Sequence, residues 1–151
     1  MRIDVLTLFP EMFQGPLSES LLKKAQTKGL LSFNLVNLRD FTNDKHKTAD
    51  DTAYGGGAGM VMKADVLSQA IGNRPKAKGQ RIIFMCPTGK PLTQDKVNDL
   101  SKEKHLVILC GHYEGVDERV RAMVDEEISI GDYVLTASIK AMAGISPPVK
   151  T

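Results

Sequence analysis

Short apolar runs alternate with longer amphipathic stretches along this chain, and their two periods sort most of it into strands and helices. Ile3 to Leu8 (IDVLTL) reads as a strand. Leu17 to Lys28 (LSESLLKKAQTK) repeats Leu17, Leu21, Leu22 and Ala25 at helical spacing and stops at Gly29, which predicts a helix covering that strand. Leu31 to Leu38 (LSFNLVNL) predicts a second strand. From Arg39 to Met60 the chain is polar, crowded with glycines near its end and almost without period, which predicts a loop. Loops of such length inside a domain usually carry function.

The alternation resumes after this stretch. Ala64 to Ile71 predicts a short helix, Arg81 to Met85 (RIIFM) a buried strand, and Thr93 to Ser101 a helix capped by Thr93 with Asp95 in its first turn. Leu106 to Cys110 (LVILC) is the next buried strand and Val116 to Val124 the next helix. Glu127 to Ile130, with Val134 and Leu135, is the last strand-like material. Continuous apolar strands separated by helices define an α/β class: a mainly parallel sheet with helices on both faces. No internal repeat or low-complexity segment interrupts it.

Composition narrows the picture. The chain has 151 residues, enough for one domain with a real core; 42% are hydrophobic and 25% charged, as in ordinary soluble proteins. The formal charge of +2 is too small to imply nucleic-acid binding by itself, so any polyanion site must be a local patch. No apolar run reaches the roughly 18 to 20 residues of a membrane span, and the start MRIDVLTLFPEMF carries acids where a signal peptide is apolar; a cytoplasmic chain with no membrane partner is expected. Cys86 and Cys110 end apolar strands without CxxC spacing, and His46, His105 and His112 complete no ligand motif with them. No metal site is expected, and both thiols read as small buried hydrophobes.

In open parallel sheets ligands gather at the carboxyl ends of strands. Three segments qualify: CPTGKP (Cys86 to Pro91), CGHYEG (Cys110 to Gly115) and IGDYVLT (Ile130 to Thr136), each pairing a glycine with small or polar neighbours so that backbone can approach a ligand. None is a phosphate loop: Gly89-Lys90 precedes Pro91 instead of Ser or Thr, and Phe84 stands where the first glycine belongs. YGGGAGMVMK (Tyr54 to Lys63) follows no apolar strand and is no dinucleotide fingerprint. The cations Arg39, Lys45, His46 and Lys47 beside Asp50 and Asp51 suit a polyanion bearing a base whose edge must be hydrogen-bonded.

Five motifs in order, LTLFPEMF, DDTAYGGGAGMVMK, MCPTGKPL, LCGHYEGVDERV and EISIGDYVLT, together resemble the bacterial tRNA (guanine-N1)-methyltransferase family from residue 1 to about 136. The resemblance implies a SPOUT-class fold, in which the chain threads a deep trefoil knot that holds S-adenosylmethionine. It implies a homodimer with tRNA as substrate, and methylation of N1 of the guanine immediately 3′ of the anticodon. Carried over by position, Phe84, Met85, Cys86 and Pro87 match the first knot loop. Gly111, Tyr113, Glu114 and Gly115 match one wall of the cofactor pocket, and Ile130, Gly131, Asp132, Tyr133, Val134 and Leu135 the opposite one. Backbone amides and carbonyls there would read the adenine edge, and Glu114 is the candidate partner for the ammonium of the methionine portion. Lys45, His46, Asp50, Tyr54, Gly55, Gly56, Gly57 and Gly59 are the candidates for facing RNA.

Residues 1–151 are thus expected to form the knotted cofactor-binding domain, without the family's helical C-terminal tRNA-binding domain. Methyl transfer to a ring nitrogen needs a base for its proton and a donor for charge developing on the carbonyl oxygen. The family's Asp and Arg for these tasks lie past Thr151, so no catalytic residue is assigned. The chain also departs from the family at Thr136-Ala137-Ser138-Ile139, where Gly-Gly-Glu follows the threonine in the family. The alternative reading is a non-catalytic dimerisation or RNA-binding fragment.

Overall fold

The computed structural model describes residues 1–43, 46, 48–52, 60–72, 79–111 and 118–131. Its elements run β1 (Arg2–Thr7), α1 (Glu11–Leu17), α2 (Ser20–Thr27), β2 (Ser32–Asn37), a 3₁₀ turn (Leu38–Phe41), β3 (Asp50–Thr52) and β4 (Met60–Met62). They continue through α3 (Ala64–Gly72), β5 (Gln80–Pro91), α4 (Gln94–Leu100), β6 (His105–Cys110), α5 (Glu118–Arg121) and β7 (Glu126–Ser129). Five strands form one sheet in the order β2-β1-β6-β5-β7, and every pairing within it is parallel. This is the expected α/β architecture. All five carboxyl ends therefore point to one edge.

One face of the sheet is filled. Side chains alternate along a strand, so Leu6 of β1, Val107 and Leu109 of β6, and Ile82, Phe84 and Cys86 of β5 point together into the main core. The helix α3 brings Val66, Leu67, Ala70 and Ile71 onto them, α5 brings Val120, and Leu38 and Met62 close the cluster. On the opposite face Ile83, Leu106 and Ile128 form a smaller buried cluster with Met1, Ile3, Met85 and Leu100 packed around them, and Val5 and Cys110 are buried on that side as well. A cleft of about 250 Å³ lies open there, walled by Val5, Phe13, Ile108 and Leu92 among other apolar side chains.

At the amino edge of the sheet the polar groups are neutralised in place. Asp4, only 1% exposed, takes Arg2 Nε at 2.9 Å on one oxygen and lies 3.0 Å from His105 Nε2 on the other. A buried carboxylate is costly unless so paired. The cluster ties β1 to β6.

Five expectations are corrected. The helix predicted over Leu17–Lys28 begins only at Ser20, because Pro16 and Leu17 belong to the last turn of α1, Glu19 is extended, and Ser20 opens α2 at φ 50°. Nor does α2 cover the sheet: it buries no residue, and Leu21 is 75% exposed. The polar stretch from Arg39 to Met60 is not all loop, since Asn37 Oδ1 accepts from Arg39 N at 3.0 Å to start the 3₁₀ turn, and β3 and β4 pair antiparallel. Ala49 and Met62 anchor that hairpin in the main core. CPTGKP is not a loop beyond β5 but part of it. Finally, the helix predicted over Val116–Val124 is confined, among the described residues, to Glu118–Arg121; Asp125 ends the turn after it by bracketing Ile82, accepting from Ile82 N at 2.6 Å and donating its own N–H to Ile82 O at 2.9 Å. The helix over Thr93–Ser101 is present as α4, and Thr93 Oγ1 accepts from Lys96 N as a cap should.

Candidate functional site

The three glycine-bearing segments singled out from the sequence fall on three neighbouring strands: CPTGKP ends β5, and the other two begin at the carboxyl ends of β6 and β7. Phe84 pairs in register with Leu109, and Met85 with Cys110 on one side and Ile128 on the other. A single row across the sheet, Cys110, Met85 and Ile128, is the last before Gly111 follows β6 and Cys86 leaves the ladder with β7, which itself continues to Ser129 opposite Pro91. Parallel strands make this meeting possible, because β6, β5 and β7 all run toward that edge. The crossover also reverses here: β5 leads to β6 on one side, and β6 then leads across to β7 on the other. Such switch points open crevices between the loops of open α/β sheets.

The geometry of β5 at this edge is irregular. Met85 and Lys90 both pair with Ile128, so the four residues Cys86 to Gly89 bulge out of the ladder with β7. The bulge returns against the neighbouring backbone at Gly89, where a Cβ would lie 2.6 Å from Ile128 N and 2.7 Å from Glu127 C. Only glycine fits that approach. On β7, Ser129 Oγ accepts from Gly131 N at 3.2 Å, and Gly131 takes φ 149°, a conformation other residues adopt only with strain.

The bulge is also held by side chains. Cys86 Sγ donates to Glu127 Oε2 at 3.1 Å and lies 3.6 Å from Thr88 Oγ1, while Arg121 Nη1 on α5 approaches the same Glu127 oxygen at 3.3 Å. Burial pushes the Cys86 thiol above its usual range, and the Glu127 carboxylate adds to the shift; contact with Thr88 opposes it. Cys110, on the other face, is pushed up to about 12 by burial alone. Both cysteines are free and buried, as the sequence indicated, and at neutral pH both are thiols and not nucleophilic thiolates.

Of the pocket candidates, Phe84 is buried in the main core, Met85 faces the open cleft, Cys86 and Pro87 begin the bulge, Gly111 is buried just past β6, and Ile130 and Gly131 are half-buried past β7. Tyr113, Glu114, Gly115, Asp132, Tyr133, Val134 and Leu135 lie outside the described residues, as do Lys45, Tyr54, Gly55, Gly56, Gly57 and Gly59. His46 is exposed in a turn and Asp50 is the first residue of β3, so these two belong to the hairpin region and not to the strand ends. Sequence reasoning singled out CPTGKP, with Thr88 and Gly89, as a segment, and passed over Arg121 and Glu127. The signal for Glu127 was present: an acid next to the apolar Ile128 in strand-like material calls for a partner when it is drawn toward the interior.

A family model described as tRNA (Guanine-1)-methyltransferase TrmD matches residues 1–147. The chain belongs to this family. Among similar relatives, the tRNA (guanine-N(1)-)-methyltransferase of Syntrophomonas wolfei is 57% identical over 136 residues, which are 90% of this chain and 55% of that protein. The proteins of the same name from Carboxydothermus hydrogenoformans and Anoxybacillus flavithermus are each 52% identical, over 99% of this chain and 62% and 63% of their own lengths. The chain therefore spans less than two thirds of the family members it matches. Among the described residues, no helix is long and apolar enough to cross a membrane.

Proposed function

We propose that residues 1–151 form the methyl-donor domain of a tRNA (guanine-N1)-methyltransferase acting in the cytoplasm, which moves a methyl group from S-adenosylmethionine to N1 of the guanine immediately 3′ of the anticodon. The observation that carries this reading is the convergence of the β5, β6 and β7 carboxyl ends at a crossover reversal, in a chain of this family. The residues present fit such a ligand. The β5 bulge takes peptide groups out of the ladder, where they can meet an adenine edge, and the apolar side chains beside them can cover its faces. In this reading Phe84 to Pro87, Gly111, Tyr113, Glu114, Gly115 and Ile130 to Leu135 surround the cofactor, and Glu114 pairs with its ammonium group. When bound, the cofactor supplies an electrophilic methyl group on a sulfonium.

The chain's own contribution is to bind, orient and exclude competing nucleophiles. Cys86 sits at the pocket as a protonated thiol, which keeps a potential methyl acceptor unreactive. The trefoil knot and the homodimer belong to the same proposal. The open apolar cleft, with Leu21, Leu30, Leu92 and Val97 exposed, supports a surface that a second copy covers. No catalytic base is assigned within residues 1–151, so the chain alone binds the methyl donor without turning over. RNA contacts fall to Lys45, His46, Asp50, Tyr54, Gly55, Gly56, Gly57 and Gly59.

The second reading, a non-catalytic dimerisation or RNA-binding fragment, is favoured by one observation: Ala137-Ser138-Ile139 stand where the family resemblance calls for Gly-Gly-Glu, and residues with a Cβ need room that glycine does not. Calorimetric titration of S-adenosylmethionine, with its demethylated product as comparison, separates the two. Saturable binding of both supports the cofactor reading. No heat from either, with retained binding to tRNA, overturns it for the second. A methylation assay on tRNA bearing or lacking the guanine after the anticodon then tests turnover, for which none is expected from this chain alone.

A further inference from the structure

Glu127 stands outside the residues assigned to the cofactor, yet it joins the elements that carry them. It lies on β7, three residues before Ile130. Its Oε2 accepts from Cys86 Sγ, the first residue of the β5 bulge, and the same oxygen is 3.3 Å from Arg121 Nη1 on α5, the helix that follows the β6 segment. Arg121 also brings Nε within 3.2 Å of Glu118, but that buried Nε makes no hydrogen bond, so Glu118 does not hold the guanidinium in a defined direction. Glu118 is 83% exposed at its side chain, whereas Glu127 is 24% exposed. The better-shielded carboxylate is the stronger tether, because solvent screens an exposed pair.

We infer that Glu127 is a positioning residue for the methyl donor, setting the β5 bulge, β7 and α5 against one another so that the three pocket segments keep their spacing. This rests on the cofactor reading given above. The bulge has little latitude of its own: Gly89 already touches the β7 backbone on its return, so the thiol-to-carboxylate contact at Cys86 fixes the other end of the same four-residue excursion. With both ends fixed, the bulge keeps one shape. Without Glu127, Cys86 loses its acceptor and Arg121 its shielded partner, and the bulge is pinned at Gly89 only.

The test is calorimetric titration of S-adenosylmethionine and of its demethylated product into the chain and into E127A, E127Q and T93A, with thermal unfolding of each protein in the absence of ligand. E127A should weaken both ligands by about tenfold, the scale of a lost charge-assisted hydrogen bond. E127Q retains an acceptor for the thiol and should recover part of that affinity. T93A, which removes the cap of α4 and none of the contacts among Cys86, Arg121 and Glu127, should lower the melting temperature and leave affinity unchanged. If E127A binds as tightly as the parent chain, or if T93A weakens binding as much at equal loss of melting temperature, the positioning role is overturned. If E127A does not fold, E127Q decides: affinity equal to the parent chain would overturn the role, and an intermediate loss supports it. Failure of the parent chain to bind either ligand would instead overturn the cofactor reading itself, and this inference with it.

Discussion

The two faces of the sheet carry similar apolar strands but different covers. On one, α3 contributes four buried residues and meets Leu6, Phe84, Val107 and Leu109 in a continuous core. On the other, neither α1, α2 nor α4 buries a residue, and an apolar cleft of about 250 Å³ stays open above Ile83, Leu106 and Ile128. Helical periodicity alone does not separate them, since both α2 and α3 are amphipathic. What differs is whether a complementary surface lies within reach. An apolar stripe is stabilising only when it is removed from water.

This contrast can be broken or sharpened by substitution. Leu67→Ala, on the filled face, should lower the unfolding free energy by about 2–5 kcal/mol, while Val97→Ala on α4, already 42% exposed, should change it by no more than about 0.5 kcal/mol. Denaturant titration of the two proteins measures both, and equal losses would mean that the faces do not differ energetically. Next in size is Gly89→Ala, where the new Cβ would collide with the β7 backbone instead of a movable side chain; about 1–3 kcal/mol should be lost in the same measurement. An unchanged midpoint would mean that the bulge can relax away from β7.

A pH-dependent effect compares the two thiols. Cys110 has its pKa raised by burial from 9.0 to about 12, so the unfolded chain ionises this thiol first as pH rises. The associated stability is fully present below about 9 and is lost progressively between about 9 and about 12. At pH 10 the loss from Cys110 should be about 1.4 kcal/mol relative to pH 7. Cys86, shifted in the same direction, adds to the decline. Cys110→Ala should flatten the fall in urea midpoint between pH 7 and pH 10 and leave the Cys86 part; an identical slope would place the alkaline sensitivity elsewhere.

The fold was largely legible where one period dominated. β1, α3 and β6 fall within a residue or so of the limits that apolar runs and helical spacing imply, and Thr93 caps α4 as its chemistry requires. Legibility failed where a local signal pointed one way and a partner decided otherwise. Pro87 and Gly89 punctuate CPTGKP like a turn, yet the segment stays in β5 because β7 lies alongside to pair with Lys90 and Pro91. Asp50-Asp51-Thr52 has no strand-forming pattern, yet it pairs with Met60–Met62, anchored by the buried Ala49 and Met62.

By itself the sequence determined the class of fold, the order of strands and helices along the chain, the burial of both cysteines and the family, because these depend on local period, side-chain chemistry and ordered motifs. Only the tertiary structure decided which strands are neighbours, which face of the sheet is filled and which groups meet at the strand ends. Strand order β2-β1-β6-β5-β7 brings Cys86, Arg121 and Glu127 together from positions 35 and 41 residues apart in the chain. Contacts of that separation depend on how crossovers lay one element beside another, and no periodicity along the chain encodes that distance.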